Sequence, residues 1–285
     1  MIAGVATAWR TRAVLLVSSF IGLGAFLYPF LLVDVEQSTD QRGGPAGFAP
    51  LLFAGVSVIC LVAMLVTLAE ENPVSRSRQV ALLGVLVAVD ATLRLVPSLL
   101  GASPIFLLIM LVGFVFGASL GFQMGVLTLL FSALITGGLG PWLPFQMLVA
   151  GWIGLSAGWL PHFSAMRWRV TVLAVFGAFW GLAFGVLMNL WFWPFTAPGT
   201  GDASSLYWSP GLGLAETVER YIRFYLVTSL GFDLARAVGN IVLVLIFAAP
   251  VIRLLGRYKS RFTWQPWEEL EISSPVDSTE RPATS

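Results

Sequence analysis

The chain has 285 residues, 57% of them hydrophobic and 11% charged, with a formal net charge of +1 and a mean hydropathy of +0.86. Such a composition excludes a soluble domain of ordinary mixed character and indicates a polytopic membrane protein of all-α fold. No nucleic-acid partner is expected.

A helix crossing the roughly 30 Å hydrocarbon layer needs about 20 mostly apolar residues, and runs of that kind recur from end to end. Predicted spans, in chain order, are 13–33, 49–69, 79–98, 105–120, 124–137, 143–160, 170–193 and 226–252. Arg10 and Arg12 precede the first run, which is too long for a signal-peptide core and lacks a small-x-small cleavage pattern, so it is expected to be a retained helix. Cys60, the only cysteine, lies inside the second run, which leaves no intrachain disulfide or thiolate metal cage. The run from Ile105 to Gly137 would make a single helix of about 50 Å, too long to stand upright. Glycines 117, 121 and 125 offer a tight hairpin within it.

His162, the only histidine, sits beside Pro161 in a short polar connection, and a solvated loop residue fits better there than a metal ligand. Between 194 and 225 a Gly/Ser-rich stretch precedes Glu216, Glu219, Arg220, Tyr221 and Arg223. The second half of that segment has the character of an amphipathic helix, lying at the interface or folding over a mouth; a lid and a passive connector both fit. After Arg261 the chain is acidic and Ser/Thr/Pro-rich, as expected of a disordered tail. The expected organisation is therefore two N-terminal helices over 1–74, a six-helix core over 75–260 and a tail over 261–285.

Cytoplasmic loops of membrane proteins carry an excess of Lys and Arg. Eight spans with both ends cytoplasmic put Arg10, Arg12, Arg76, Arg78, Arg167, Arg169, Arg253, Arg257, Lys259 and Arg261 inside, ten of the sixteen basic residues. The first outward loop carries Asp34, Glu36 and Asp40 against one Arg42, which supports the same orientation.

Ionisable residues inside a span are costly and normally pair or face a cavity. Asp90 and Arg94 are four apart on one predicted helix and Asp233 and Arg236 three apart on another, spacings at which each pair can neutralise itself. All four fall in the outward halves of their helices, where a structural ion pair and direct ligand contact are both open readings. Asn240, Gln146 and Asn189 add donors and acceptors that serve equally as interhelical glue. Trp142, Trp191, Trp193, Tyr207 and Trp208 collect at outward ends, as an interfacial belt or as faces for a flat ligand. Small residues Ala81, Gly84, Ala88 and Ala91, at steps of three, four and three, suit close approach of another helix, within this chain or from a separate subunit.

The stretch ITGGLGPWLPFQM, Ile135 to Met147, sets glycine and proline backbone between apolar runs. Such backbone is admitted at membrane depth only where protein or a water-filled cavity covers it, so the segment is expected to line a site. The chain carries no phosphate-binding G-x-x-x-x-G-K-[ST] loop, no H-E-x-x-H and no carboxylate concentration for metal or acid/base work. Enzyme activity, a metal and a cofactor are accordingly not expected, and ATP must be used elsewhere.

Together with LRLVPSLLGASP (Leu93 to Pro104) and GFDLARAVGN (Gly231 to Asn240), that stretch resembles the substrate-specific S component of energy-coupling factor (ECF) transporters. The resemblance covers roughly 75–260, about two-thirds of the chain, and is closest to the cobalamin-type branch. It implies a membrane subunit of a prokaryotic plasma membrane that binds a vitamin or related micronutrient from outside. Delivery inward would involve a T component and two ATPase subunits. The implied substrate contacts are Asp90, Arg94, Ser103, Trp142, Gln146, Asn189, Trp193, Asp233 and Asn240; the implied docking stripe is Ala81, Gly84 and Ala88. The family's small stripe is Ala-x-x-x-Ala-like, and here Gly84 replaces an alanine, a loose match. Residues 1–74 lie outside the core and are open to three roles: bracing it, contacting the T component, or replacing part of the docking surface. A proton-coupled secondary transporter, with Asp90 and Asp233 as proton carriers, and a membrane-embedded enzyme are the alternative classes; no internal repeat supports the former.

Overall fold

A computed structural model describes residues 2–31, 55, 58, 73–96, 103–195, 206–209 and 211–262. Among them the regular structure is all helical: α1 (Ile2–Leu31), α2 (Pro73–Leu93), α3 (Ile105–Phe116), α4 (Ala118–Thr136), α5 (Leu143–Ala157), α6 (Met166–Phe192), a 3₁₀ turn (Trp193–Phe195), α7 (Leu214–Thr228) and α8 (Leu230–Phe262). Ala118–Thr136, Met166–Phe192 and Leu230–Ser260 are long and apolar enough to cross a membrane; shorter apolar helices cover Ala13–Leu27, Gln79–Leu93, Ile105–Phe116 and Leu143–Ala157. Seven of the eight predicted spans thus fall on helices. Of the predicted span 49–69 only residues 55 and 58 are described, and the first outward loop and the tail beyond 262 lie outside the described residues.

The apolar run from Ile105 divides at Gly117 alone. Its φ of 106° and ψ of 172° lie in a region essentially closed to side-chain-bearing residues, and its N–H closes α3 on the carbonyl of Gly113. Gly121 and Gly125, expected in the same hairpin, instead lie inside α4, where they serve packing. The chain leaves α4 at Gly137, whose φ of 67° is the left-handed conformation common after a helix C-terminus.

α3 is the centre of the bundle. Every residue from Ile105 to Val115 except Leu108 is buried, and α2, α4, α5, α6 and α8 all pack against it. At about 18 Å, twelve residues are too short to cross hydrocarbon alone; protein rather than lipid surrounds this helix.

Two antiparallel helix contacts are made close by glycines. Between α4 and α5, Gly121 faces the backbone of Gly154, Gly125 faces that of Ala150, and Gly158 faces that of Ala118, while Gly113 of α3 meets the Gly154 carbonyl. Between α6 and α8, glycines 177, 181 and 185 receive Asn240, Ala237 and Asp233. Lipid tails are as apolar as leucine, so helices in a bilayer associate through close packing and interhelical hydrogen bonds, which small residues permit.

α1 packs on α5 and α6. Phe26, fully buried, meets Phe145 and Trp152 at centroid distances of 4.9 and 6.2 Å, and Trp152 Nε1 donates to Ser19 Oγ at 2.8 Å. Of the three roles open to the N-terminal helices, bracing the core is the one this packing performs for α1.

At the end of the bundle holding Gly117, His162 Nε2 donates to the Phe114 carbonyl at 2.7 Å and its ring stacks on Phe114 at 4.4 Å. Lys259 Nζ donates to the Val115 carbonyl at 2.5 Å. Two otherwise open carbonyls at the C-terminus of α3 are thereby satisfied. His162 is an exposed loop residue, as expected, and caps α3 besides.

A Cβ at position 181 would lie 2.5 Å from the Ala237 Cα, whereas one at position 84 meets nothing within 4 Å. Gly181→Val should therefore destabilise the detergent-solubilised protein by about 1–3 kcal/mol or more, and Gly84→Ala should be neutral or stabilise it by up to about 1 kcal/mol. Thermal unfolding of the two variants beside the parent chain measures both.

Candidate substrate-binding site

The helix pairings spread the candidate contacts from the middle of the bundle, where Asn240 faces Gly177 of α6, to the end at which α3 begins. Asp90 lies level with Thr128 of α4, Trp191 of α6 meets Phe145 near the start of α5, and Asp233 packs on Gly185 of α6. Ser103 is half-buried and immediately precedes α3. This end is opposite the one capped by His162 and Lys259.

The residues form two groups. On the α6–α8 contact, Arg236 Nη1 is 2.5 Å from Asp233 Oδ1, donates to the Gly181 carbonyl at 3.2 Å, and its guanidinium stands 5.3 Å from the Phe184 ring centre. Asn240 Nδ2 donates to the Gly177 carbonyl at 2.9 Å. This ion pair neutralises itself as its spacing predicted. Asp90 and Arg94 behave otherwise: Thr128 Oγ1 donates to Asp90 Oδ2 at 3.1 Å, and Arg94 Nη1 donates to Ser132 Oγ at 3.0 Å. The two lie at the last turn of α2, which ends at Leu93, and both side chains bind α4 instead.

Five of the nine residues keep a sealed polar atom with no hydrogen-bond partner among the described residues: Asp90 Oδ1, Gln146 Oε1, Asn189 Nδ2, Asp233 Oδ2 and Asn240 Oδ1. Each such atom costs about 1–3 kcal/mol, and orphans of this kind are rare in native folds and call for an explanation.

The other candidates are aromatic. Trp142, next to the start of α5, is 40% exposed, with its ring against Gly140. Trp193 is fully buried, and its Nε1 donates to the Leu206 carbonyl at 2.9 Å. Around it stand Tyr221 at 5.2 Å, Phe224 at 6.2 Å and Phe30 of α1 at 6.0 Å. Trp208 joins through Phe30 and Tyr207 through Phe224. These rings form a packed cluster under α7 rather than a belt standing in lipid.

α7 supplies residues that were not singled out as contacts. The Tyr221 hydroxyl donates to the Val186 carbonyl at 2.5 Å, fixing α7 on α6. The Tyr225 hydroxyl lies beside the Asp233 carboxylate; burial first, then that negative charge, pushes it up to about 12. Burial likewise pushes the Tyr221 hydroxyl up. Both phenols are neutral hydrogen-bonding groups at physiological pH. Thr128 and Ser132, which anchor Asp90 and Arg94, were also missed, since isolated hydroxyls in an apolar run carry no local signal.

Residues 78–248, three-fifths of the chain, match the family described as ECF transporter, substrate-specific component. The chain belongs to that family. No curated protein and no solved structure matches it. As an ECF S component it is a substrate-binding, multi-pass membrane subunit rather than an enzyme, and membership implies work alongside T and ATPase subunits. The matched region begins within α2 and ends within α8, so this S component carries its family core on the elements that build the polar end, with α1 outside it.

Removing Arg236 leaves the Asp233 carboxylate buried and unpaired. Arg236→Ala should cost about 3–5 kcal/mol, Asp233→Asn less, and the double variant should regain part of the loss. A thermal-unfolding double-mutant cycle reads the coupling.

Proposed function

We propose that this S component captures a vitamin-class micronutrient, a corrinoid first among candidates, from outside a prokaryotic plasma membrane. It delivers that substrate inward with a T component and two ATPase subunits. The observation that carries the reading is the set of five candidate residues with a buried polar atom that has no partner among the described residues, set between the middle of the bundle and the end at which α3 begins. Amide and carboxylate groups left unpaired beside aromatic walls suit a ligand with several polar substituents on a large ring system. The distribution of basic residues supports an outward position for that end, and the absence of a phosphate-binding loop supports ATP use in partner subunits.

Docking is assigned to the Ala81, Gly84 and Ala88 face of α2. All three are exposed, and the space over Gly84 is open. Ala91, the fourth member of the stripe, is fully buried and belongs to the inner face with Leu83 and Val87.

Native mass spectrometry of the protein purified gently from its own membrane tests the reading. The expected spectrum shows a vitamin-sized adduct and co-purifying T and ATPase subunits. Gly84→Leu should reduce co-purification about tenfold or more while the adduct remains. Uptake that survives loss of the ATPase partners but collapses with the proton gradient would assign the chain to self-sufficient carriers instead.

A further inference from the structure

α7 presents three separate faces. Successive residues of an α-helix turn by about 100°, so Leu214, Val218, Ile222 and Leu226, at intervals of four, share one flank about 120° wide. They are 82%, 49%, 50% and 54% exposed. The next sector carries the charges, and these are tied to each other: Arg220 to Glu216 at 2.6 Å and Arg223 to Glu219 at 2.5 Å. The remaining sector, with Tyr221 and Phe224, is packed on α6 and the Trp193 cluster.

We propose that α7 is a bilayer-interface helix, and that the partner of its apolar flank is the acyl–headgroup boundary of the membrane. The sectors are arranged as that environment requires: protein on one side, hydrocarbon beside it, and charge turned to water. In sequence the apolar flank is followed directly by further exposed apolar residues, Phe232, Leu234, Val238, Val242 and Leu245 of α8. α8 is long and apolar enough to cross the membrane, so its exposed apolar residues meet lipid, and α7 joins it through the short turn at Ser229. A helix folded over a water-filled mouth would instead hold four large aliphatic side chains in water, against the hydrophobic effect.

Charge sets the lipid class. α7 contains two Glu and two Arg, paired as above, so its water-facing sector has no net charge and no spare cation for an anionic headgroup. Binding rests on the apolar stripe, and a zwitterionic surface suffices. This inference does not depend on which ligand the protein carries.

Nitroxide labels test it in the full chain, with Cys60→Ala removing the only native thiol. Val218→Cys and Ile222→Cys probe the stripe, and Glu219→Cys and Arg223→Cys probe the charged sector; Leu214→Cys serves if a stripe label perturbs the fold. In phosphatidylcholine vesicles the ratio of oxygen to nickel-chelate accessibility should be several-fold higher at 218 and 222 than at 219 and 223. Added phosphatidylglycerol should leave it unchanged. Equal ratios in both sectors would overturn the proposal in favour of a water-facing lid. Shielding of 218 and 222 from both reagents would overturn it in favour of a protein cover. A marked rise with phosphatidylglycerol would overturn the assignment of lipid class.

Discussion

The close contact of α6 and α8 over three glycines is the constraint on which the polar end depends. Only with no side chain at 177, 181 and 185 does α8 approach near enough for Asn240 and Arg236 to reach α6 carbonyls and for Asp233 to lie against Gly185. In water a misfitted helix would still be held by burial of its apolar face. In lipid that drive is absent, and packing with hydrogen bonding decides whether two helices stay together. The glycines therefore determine both the stability of the pair and the position of its charges.

The two intramembrane acids show how local surroundings decide electrostatics. Asp233 and Arg236 stay on one continuous helix and neutralise each other three residues apart. Asp90 and Arg94 have nearly the same spacing in sequence, but they stand at the last turn of α2 beside hydroxyls of α4. Their bonds consequently run to hydroxyls on α4, and one Asp90 oxygen is left without a donor among the described residues. Similar sequence signals thus give a closed pair in one case and an open polar group in the other.

Much of the architecture was legible because membrane helices announce themselves by length and hydropathy, and residues 105–136 could not have formed one upright span. The amphipathic segment after 213 was legible from its charges as α7. What could not be read was which of three glycines would break the run, because packing against α5 claims Gly121 and Gly125 while Gly117 has no Cβ contact to lose. Of the site, the acids and amides stood out as polar groups in apolar surroundings, whereas their anchors did not. Tyr221 and Tyr225 touch the polar end only because α7 folds back onto α6, a non-local event. The Gly177, Gly181, Gly185 repeat is visible in the sequence, but its partner helix is not. Trp193 illustrates the converse: its position suggested an interfacial ring, and its surroundings make it the centre of a cluster.

The capped end of the bundle has a mechanical consequence. His162 and Lys259 fasten the α5–α6 connection and the far part of α8 to the same turn of α3, so three distant segments share one pin. From Lys259 to Asp233 is 26 residues, roughly 39 Å of helix at 1.5 Å per residue. A tilt of about 5° at the pin swings the distal tip of that lever by about 3 Å, the breadth of a single polar contact. Pro250, however, lies along that lever and removes one backbone hydrogen bond from it, so the part of α8 bearing Asp233 and Asn240 is held by its contact with α6 rather than by the pin.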